Sequence, residues 1–160
     1  MITVKYKSYV NLIIWILSLI LIGSAIGSLT KPEIGNWYSG LNRSSLTPPN
    51  YLFPIAWTIL YAAIGACGSV IWNFESFSGL NKIKALYIIQ LFLNWIWTPL
   101  FFTFHMTGLS LLVLIFMDII VAMIIYLSYS KLKTVSFLMI PYLLWIIFAT
   151  YLNLYIWLYN

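Results

Sequence analysis

Indole rings, phenol rings and side-chain amides recur at helical spacing in three apolar segments of this sequence. In LNWIWTPLFF, residues 93–102, an amide, two indoles and a proline interrupt an apolar run. Residues three and four apart share one face of an α-helix. One face here combines polar and aromatic side chains, namely Gln90, Asn94, Thr98 and Phe101, with Trp97 on its flank. Because hydrocarbon does not solvate amides, we predict that this face points into a helix bundle.

Two further segments present faces of the same kind. The last apolar segment aligns Tyr142, Trp145, Ala149 and Asn153, and an earlier one aligns Trp57 and Tyr61, one turn apart. Rings and amides that converge from three helices are typical of a pocket for a flat, largely apolar ligand. The same side chains could instead fill a core in which the amides bond across helices. The pattern alone does not separate these two interpretations.

The pattern does not indicate a conventional catalytic or metal site. Glu33 and Glu75 fall in connections predicted on opposite sides of the membrane, which excludes paired-carboxylate catalysis. Asp118, within an apolar segment, could bind a proton or cation, or could be a hydrogen-bonded structural residue. His105 is the only histidine and a weak candidate for a haem ligand, and the single Cys67 excludes an internal disulfide. We therefore predict no metal site and no obligatory cofactor.

The composition places the chain in a bilayer. Of its 160 residues, 63% are hydrophobic and 7% charged, with a mean hydropathy of +0.98, which is too little charge to cover a soluble domain. The formal net charge of +5 is spread over short connections rather than one patch. This distribution argues against a nucleic-acid partner.

Five segments are long enough to cross a membrane as helices, which requires about 20 apolar residues each. They cover residues 9–29, 52–72, 83–104, 109–130 and 135–158. We predict an all-α integral membrane protein, with residues 1–160 forming a single five-transmembrane-helix bundle. The long connection Thr30–Tyr51 is predicted to act as a lid, since connections of this length usually cover or bind ligands.

Positive charges predict the orientation of the bundle. Six lysines fall on the side of the N-terminus (Lys5, Lys7, Lys82, Lys84, Lys131 and Lys133), and only Lys31 and Arg43 fall opposite. This asymmetry predicts a cytoplasmic N-terminus in a plasma membrane. Small residues spaced by four, Gly23 with Gly27 and Gly65 with Ser69, predict close helix contacts, either within one protomer or at a dimer seam.

Several motifs occur in a specific order: WYSGLNRSSLTPP at 37–49, then Phe53, Trp57 and Leu60–Tyr61, LNWIWTPLFF at 93–102, Asp118, and PYLLWIIFATYLN at 141–153. They resemble the tryptophan-rich sensory protein / translocator protein family (TspO/MBR, peripheral-type benzodiazepine receptors), in its bacterial type. The resemblance implies a five-helix bundle, commonly a homodimer, whose cavity opens toward the first loop. It also implies binding of protoporphyrin-like tetrapyrroles, such as protoporphyrin IX or haem, and of isoquinoline carboxamide or benzodiazepine drugs.

Carried over position by position, the resemblance assigns the pocket to Tyr38, Trp57, Tyr61, Asn94, Phe101, Trp145 and Ala149. The sequence departs from the family where a Lys-Pro pair and an aromatic residue are replaced by Arg43–Ser44 and Leu46, so we expect the lid to close differently. The cholesterol motif of animal members needs a terminal Lys or Arg, and LNLYIWLYN at 152–160 has neither. We therefore do not expect tight cholesterol binding.

Three functions remain in competition at this point. The first is a membrane receptor that senses, transports or disposes of porphyrins. The second is light-dependent porphyrin degradation by pocket tryptophans, for which Trp57 and Trp145 are the candidates. The third is a small-molecule transporter or channel that uses Asp118, although the five unequal spans show none of the inverted repeats of many secondary transporters.

Overall fold

The protein is a bundle of five long α-helices. A computed structural model describes the backbone of residues 2–160 and the side chains of residues 9–160, so the predicted charges of Lys5 and Lys7 lie outside the described side chains. The helices are α1 (Ile2–Asn36), α2 (Leu52–Asn73), α3 (Leu80–Thr98), α4 (Thr107–Ser128) and α5 (Lys133–Tyr159). All five are long and apolar enough to cross a membrane. The predicted all-α, multi-pass membrane bundle is confirmed.

Helix α1 is longer than the sequence pattern indicates. We predicted an end near Leu29, but the helix continues through Pro32 to Asn36. A proline inside a helix removes one backbone hydrogen bond and is normally unfavourable. Here the extra turns pack on the end of α3, and the imidazole of His105 contacts the carboxylate of Glu33 at 3.3 Å. These tertiary contacts favour the helix, so the first connection comprises only residues 37–51, with a 3₁₀ turn at Tyr38–Gly40.

Glycines allow α1 and α2 to approach closely within one protomer. A Cβ atom on Gly65 would lie 2.7 Å from the Cα of Ile16, and one on Gly68 would lie 2.6 Å from the ring of Trp15. A Cβ atom on Gly23 would overlap the ring of Tyr61. Small residues that admit a neighbouring helix in this way stabilise bundles in which hydrophobic burial contributes little. Gly23 and Gly65 therefore serve packing inside the bundle.

Helix α3 ends in a wide π-helical turn, Pro99–Thr103. Proline has no N–H to continue the α-helical pattern, and the N–H of Phe104 donates to the carbonyl of Pro99 at 2.9 Å. The π turn buries the ring of Phe101. His105 then adopts a left-handed backbone conformation (φ 54°) that reverses the chain into α4. The proline thus shapes the end of the bundle near the first connection.

Candidate functional site

A cavity of about 660 Å³ lies at the end of the bundle next to the first connection. Its walls come from the second half of α1, the first turns of α2, the end of α3 with its π turn, and the last part of α5. Most of the lining groups are apolar or aromatic. Eight of the residues predicted from the sequence line it: Tyr38, Trp57, Tyr61, Trp97, Thr98, Phe101, Ala149 and Asn153.

The other three predicted residues, Gln90, Asn94 and Trp145, do not line the cavity. Asn94 lies directly behind its wall, where its side-chain oxygen accepts a 2.5 Å hydrogen bond from the hydroxyl of Tyr61. The amide of Asn94 donates to the hydroxyl of Tyr142 at 3.1 Å, and that hydroxyl donates to the side-chain oxygen of Gln90 at 3.0 Å. This chain of bonds joins α2, α3 and α5. Asn94 and Gln90 therefore hold the helices that carry the wall.

A second buried amide, that of Asn153, lies in the cavity wall itself. The side-chain oxygen of Asn153 accepts hydrogen bonds from the indole N–H of Trp97 at 3.2 Å and from the hydroxyl of Ser110 at 2.9 Å. Its amide donates to the carbonyl of Thr107 at 2.8 Å. The indole ring of Trp97 stacks on Phe101, with ring centres 5.5 Å apart. Asn153 thus both reaches the cavity and ties α3, α4 and α5 together.

The two tryptophans that we considered for photochemistry lie at different depths. The indole of Trp57 lines the cavity and packs against the ring of Tyr61, with ring centres 5.5 Å apart. Trp145 lies behind Phe53, whose ring meets it edge-on at 6.1 Å and itself lines the cavity. Of the two, only Trp57 has an indole at the wall.

The first connection contributes Tyr38 to the lining of the cavity. Its ring is buried against Phe101 and Phe102, with ring centres 6.2 and 5.5 Å away. Burial raises the pKa of the Tyr38 hydroxyl above its ordinary value, and the nearby guanidinium of Arg43, 5.0 Å from the ring centre, partly opposes that rise. The phenol therefore stays protonated at neutral pH.

Several contacts hold this connection in place. Trp37 stacks on the imidazole of His105, with ring centres 4.1 Å apart. The hydroxyl of Ser44 is hydrogen bonded to that of Tyr151 on α5 at 2.8 Å. The side chain of Asn160 bonds both the N–H and the carbonyl of Asn42, at 2.8 and 3.1 Å. The connection is therefore fastened both to the residues that follow the π turn and to the last part of the chain, including α5.

Asp118 lies away from the cavity, between α4 and α5. One of its carboxylate oxygens accepts a hydrogen bond from the hydroxyl of Thr150 at 2.8 Å, and the other is buried without a partner among the described groups. This arrangement matches the hydrogen-bonded structural interpretation of the residue. Neither Asp118 nor its partner Thr150 lines the cavity.

Comparison with known proteins assigns the chain to a family. A model of the TspO/MBR family matches residues 14–158. The chain belongs to the TspO/MBR family. It is 38% identical over 150 residues to the tryptophan-rich protein TspO of Archaeoglobus fulgidus, an alignment that covers 94% of this chain and 97% of the relative.

More distant TspO/MBR relatives also align over most of their length. The tryptophan-rich sensory protein of Cereibacter sphaeroides is 34% identical over 127 residues, covering 79% of this chain and 77% of the relative. The human translocator protein is 32% identical over 141 residues, covering 85% and 82% respectively. The resemblance seen in the sequence motifs is confirmed.

Helix α1 contributes to the cavity of this TspO/MBR protein, which the sequence did not predict. Gly23 and Gly27 were interpreted only as packing residues, yet both line the cavity, and apart from the local backbone of α1 no atom lies within 4 Å of where a Cβ on Gly27 would be. Lys31 on the same face lines it too. On α5, Leu152 and Ile156 were also missed. The helical period from Ala149 would have found these two, whereas α1 carries no aromatic signal in this region.

Proposed function

We propose that this protein is a membrane receptor that binds protoporphyrin-like tetrapyrroles, and other flat aromatic compounds of drug size, in the cavity between α1, α2, α3 and α5. The observation that carries the proposal is the cavity itself, about 660 Å³ in volume with walls of indole, phenol and phenyl rings. Small-molecule sites typically measure roughly 300–1,000 Å³ and are lined by apolar groups with a few polar ones. Sensing, transport or disposal of porphyrins would all require such a site.

The polar groups behind the wall support an apolar binding surface. The hydroxyl of Tyr61 is already bonded to Asn94, and the indole N–H of Trp97 to Asn153, so both residues present ring faces rather than free donors. Flat conjugated ligands pack favourably against such rings in offset or edge-on arrangements. This chemistry fits a porphyrin macrocycle and, equally, the fused rings of isoquinoline carboxamide or benzodiazepine drugs.

Titration of the purified protein in phosphatidylcholine nanodiscs with protoporphyrin IX tests the proposal. We expect a saturable shift of the porphyrin absorbance band and saturable quenching of tryptophan fluorescence. Trp57→Phe should weaken binding, whereas the matched control Trp72→Phe, at the other end of α2, should not. A linear signal equal to that of empty nanodiscs would mean that porphyrin only partitions into lipid.

The position of Trp57 favours a second candidate function, light-dependent degradation of the bound porphyrin. An indole in contact with an excited porphyrin could donate an electron, with molecular oxygen as the final oxidant. We expect illumination to produce a discrete product, more slowly in Trp57→Phe than in Trp145→Phe, because Trp145 lies behind Phe53. Equal rates in wild type and Trp57→Phe would remove this candidate.

We further propose that the protein lies in the plasma membrane with a cytoplasmic N-terminus. The lysines at the starts of α3 and α5 lie at the end of the bundle opposite the cavity, and Lys31 and Arg43 lie at the cavity end. The excess of lysines at the end opposite the cavity supports the orientation by the positive-inside rule. Cysteine substitutions at the exposed Ser39 and Ser130 should label from outside and inside the cell respectively. The reverse labelling would overturn the orientation.

A further inference from the structure

Lys31 is the one charged residue among the described side chains that line the cavity, and none of them is acidic. It lies eight residues after Gly23 on α1, which corresponds to a rise of about 12 Å along the helix. Gly23 contacts Tyr61 at the inner end of the cavity, so Lys31 marks the outer end, close to the first connection. The cavity therefore has an apolar inner end and a cationic mouth.

The charge of Lys31 is not neutralised within the described part of the chain. Among the described side chains, the contact between a basic nitrogen and a carboxylate joins Nε2 of His105 to Glu33, at 3.3 Å, and does not involve Lys31. Glu33 follows Lys31 by two residues and therefore points to a different side of α1, away from the cavity lining. Arg43 adds a second positive charge at the same end, above the ring of Tyr38. Lys31 and Arg43 outnumber the side-chain carboxylate of Glu33 at this end of the bundle, and such an excess of positive side-chain charge attracts anions.

A lysine at such a boundary is well suited to hold a carboxylate. Its long aliphatic stem can lie along apolar surface while the ammonium group remains in water. A hydrogen bond between ammonium and carboxylate is charge-assisted and stronger than a neutral one. From this arrangement we infer that Lys31 selects flat aromatic ligands that carry a carboxylate at one edge. The apolar body enters the cavity first and the acid group remains at the mouth, bonded to Lys31.

This inference rests on the proposed function, because it concerns ligand preference at the same cavity. The anion bound by Lys31 could come from either of two sources, the ligand or a lipid headgroup. A carboxylate on the ligand makes Lys31 a determinant of ligand affinity, whereas a lipid phosphate would engage Lys31 equally for charged and uncharged ligands. The test therefore compares two ligands that share the same ring system but differ in whether they carry carboxylates.

Protoporphyrin IX and its dimethyl ester form such a pair, since the ester keeps the macrocycle and removes both acid groups. Binding of each is measured by absorbance titration in phosphatidylcholine nanodiscs, for wild type, Lys31→Gln, Lys31→Arg and Lys131→Gln. Wild type should prefer the diacid by about ten-fold, the effect of one charge-assisted hydrogen bond at a solvated site. Lys31→Gln should lose that preference with unchanged affinity for the ester.

The two remaining variants are controls. Lys31→Arg should keep the preference, and so should Lys131→Gln, which removes the same charge from the exposed turn at the opposite end of the bundle. Equal affinity of wild type for diacid and ester, or a full preference in Lys31→Gln, overturns the inference while leaving the proposed function intact. Failure of both compounds to bind wild type saturably overturns the proposed function, and the inference with it.

Discussion

Asn94 is one of several residues at which the sequence correctly indicated a buried polar group but not its task. We predicted it as a ligand contact, and its amide instead bridges the hydroxyls of Tyr61 and Tyr142 behind the cavity wall. Helical spacing identifies the buried face, but it does not distinguish a side chain that lines a void from one that bonds across helices. That distinction depends on distances of a few ångströms between helices.

Replacement of Asn94 by leucine should therefore destabilise the bundle. The substitution leaves two buried hydroxyls without one of their partners, and hydrogen bonds between membrane helices contribute about 0.5–2 kcal/mol each. We expect a decrease of about 1–2 kcal/mol in the free energy of unfolding, measured by denaturant titration in detergent. Asn81→Ala, at an exposed position on α3, serves as the control. Equal stability of the two variants would contradict the assigned role of the amide.

The two glycines of the G-x-x-x-G pair on α1 should respond differently to alanine. Gly23→Ala places a methyl group into the ring of Tyr61, which Asn94 holds in place, so we expect about 1–3 kcal/mol of destabilisation and weaker porphyrin binding. Gly27→Ala meets open space and should leave stability unchanged or slightly higher, because alanine favours helix. Thermal unfolding followed by circular dichroism compares them. Similar losses in both variants would contradict the described α1–α2 contact.

The lengths of the apolar segments and the polar connections between them predicted five helices and most of their ends. The first helix was the exception, because Pro32 and the polar residues around it are typical of a connection. Contacts between the end of α1 and the π turn, distant in sequence, keep that stretch helical. For the π turn, the sequence showed only that a proline, Pro99, interrupts the apolar run. Local signals cannot report such long-range packing.

The first connection is expected to become more protected when ligand binds beneath it. Ligand contact with Tyr38 should stabilise the closed position that Ser44 and Tyr151 already favour. We expect slower hydrogen exchange across residues 37–50 with saturating protoporphyrin, measured by mass spectrometry. Ser44→Ala should speed exchange in the free protein by about two- to ten-fold, corresponding to one net hydrogen bond. Unchanged exchange on ligand addition would make the connection a fixed cover rather than a lid.

The cavity occupies the end of the bundle near the first connection, whereas Leu80, Ile83 and Val135, at the other end, belong to a packed core. Tyr87 and Tyr142 are fully buried, and their hydroxyls donate to Ile64 and Gln90 respectively. The sequence offered pocket and core as alternatives for one set of residues, and the structure contains both. Gln90 and Asn94 belong to the core, and Trp57 and Phe101 line the cavity.

Filling the cavity with a larger side chain tests whether the ligand binds there. Ala149→Phe would place a phenyl ring within the cavity, whereas Ala122→Phe adds the same ring to the exposed, membrane-facing side of α4. The affinity of each variant for protoporphyrin is measured by titration in nanodiscs, and its thermal unfolding midpoint is measured alongside. We expect Ala149→Phe to weaken binding by about ten-fold or more with little change in midpoint, and Ala122→Phe to bind like wild type. Wild-type affinity in Ala149→Phe would show that the ligand binds elsewhere.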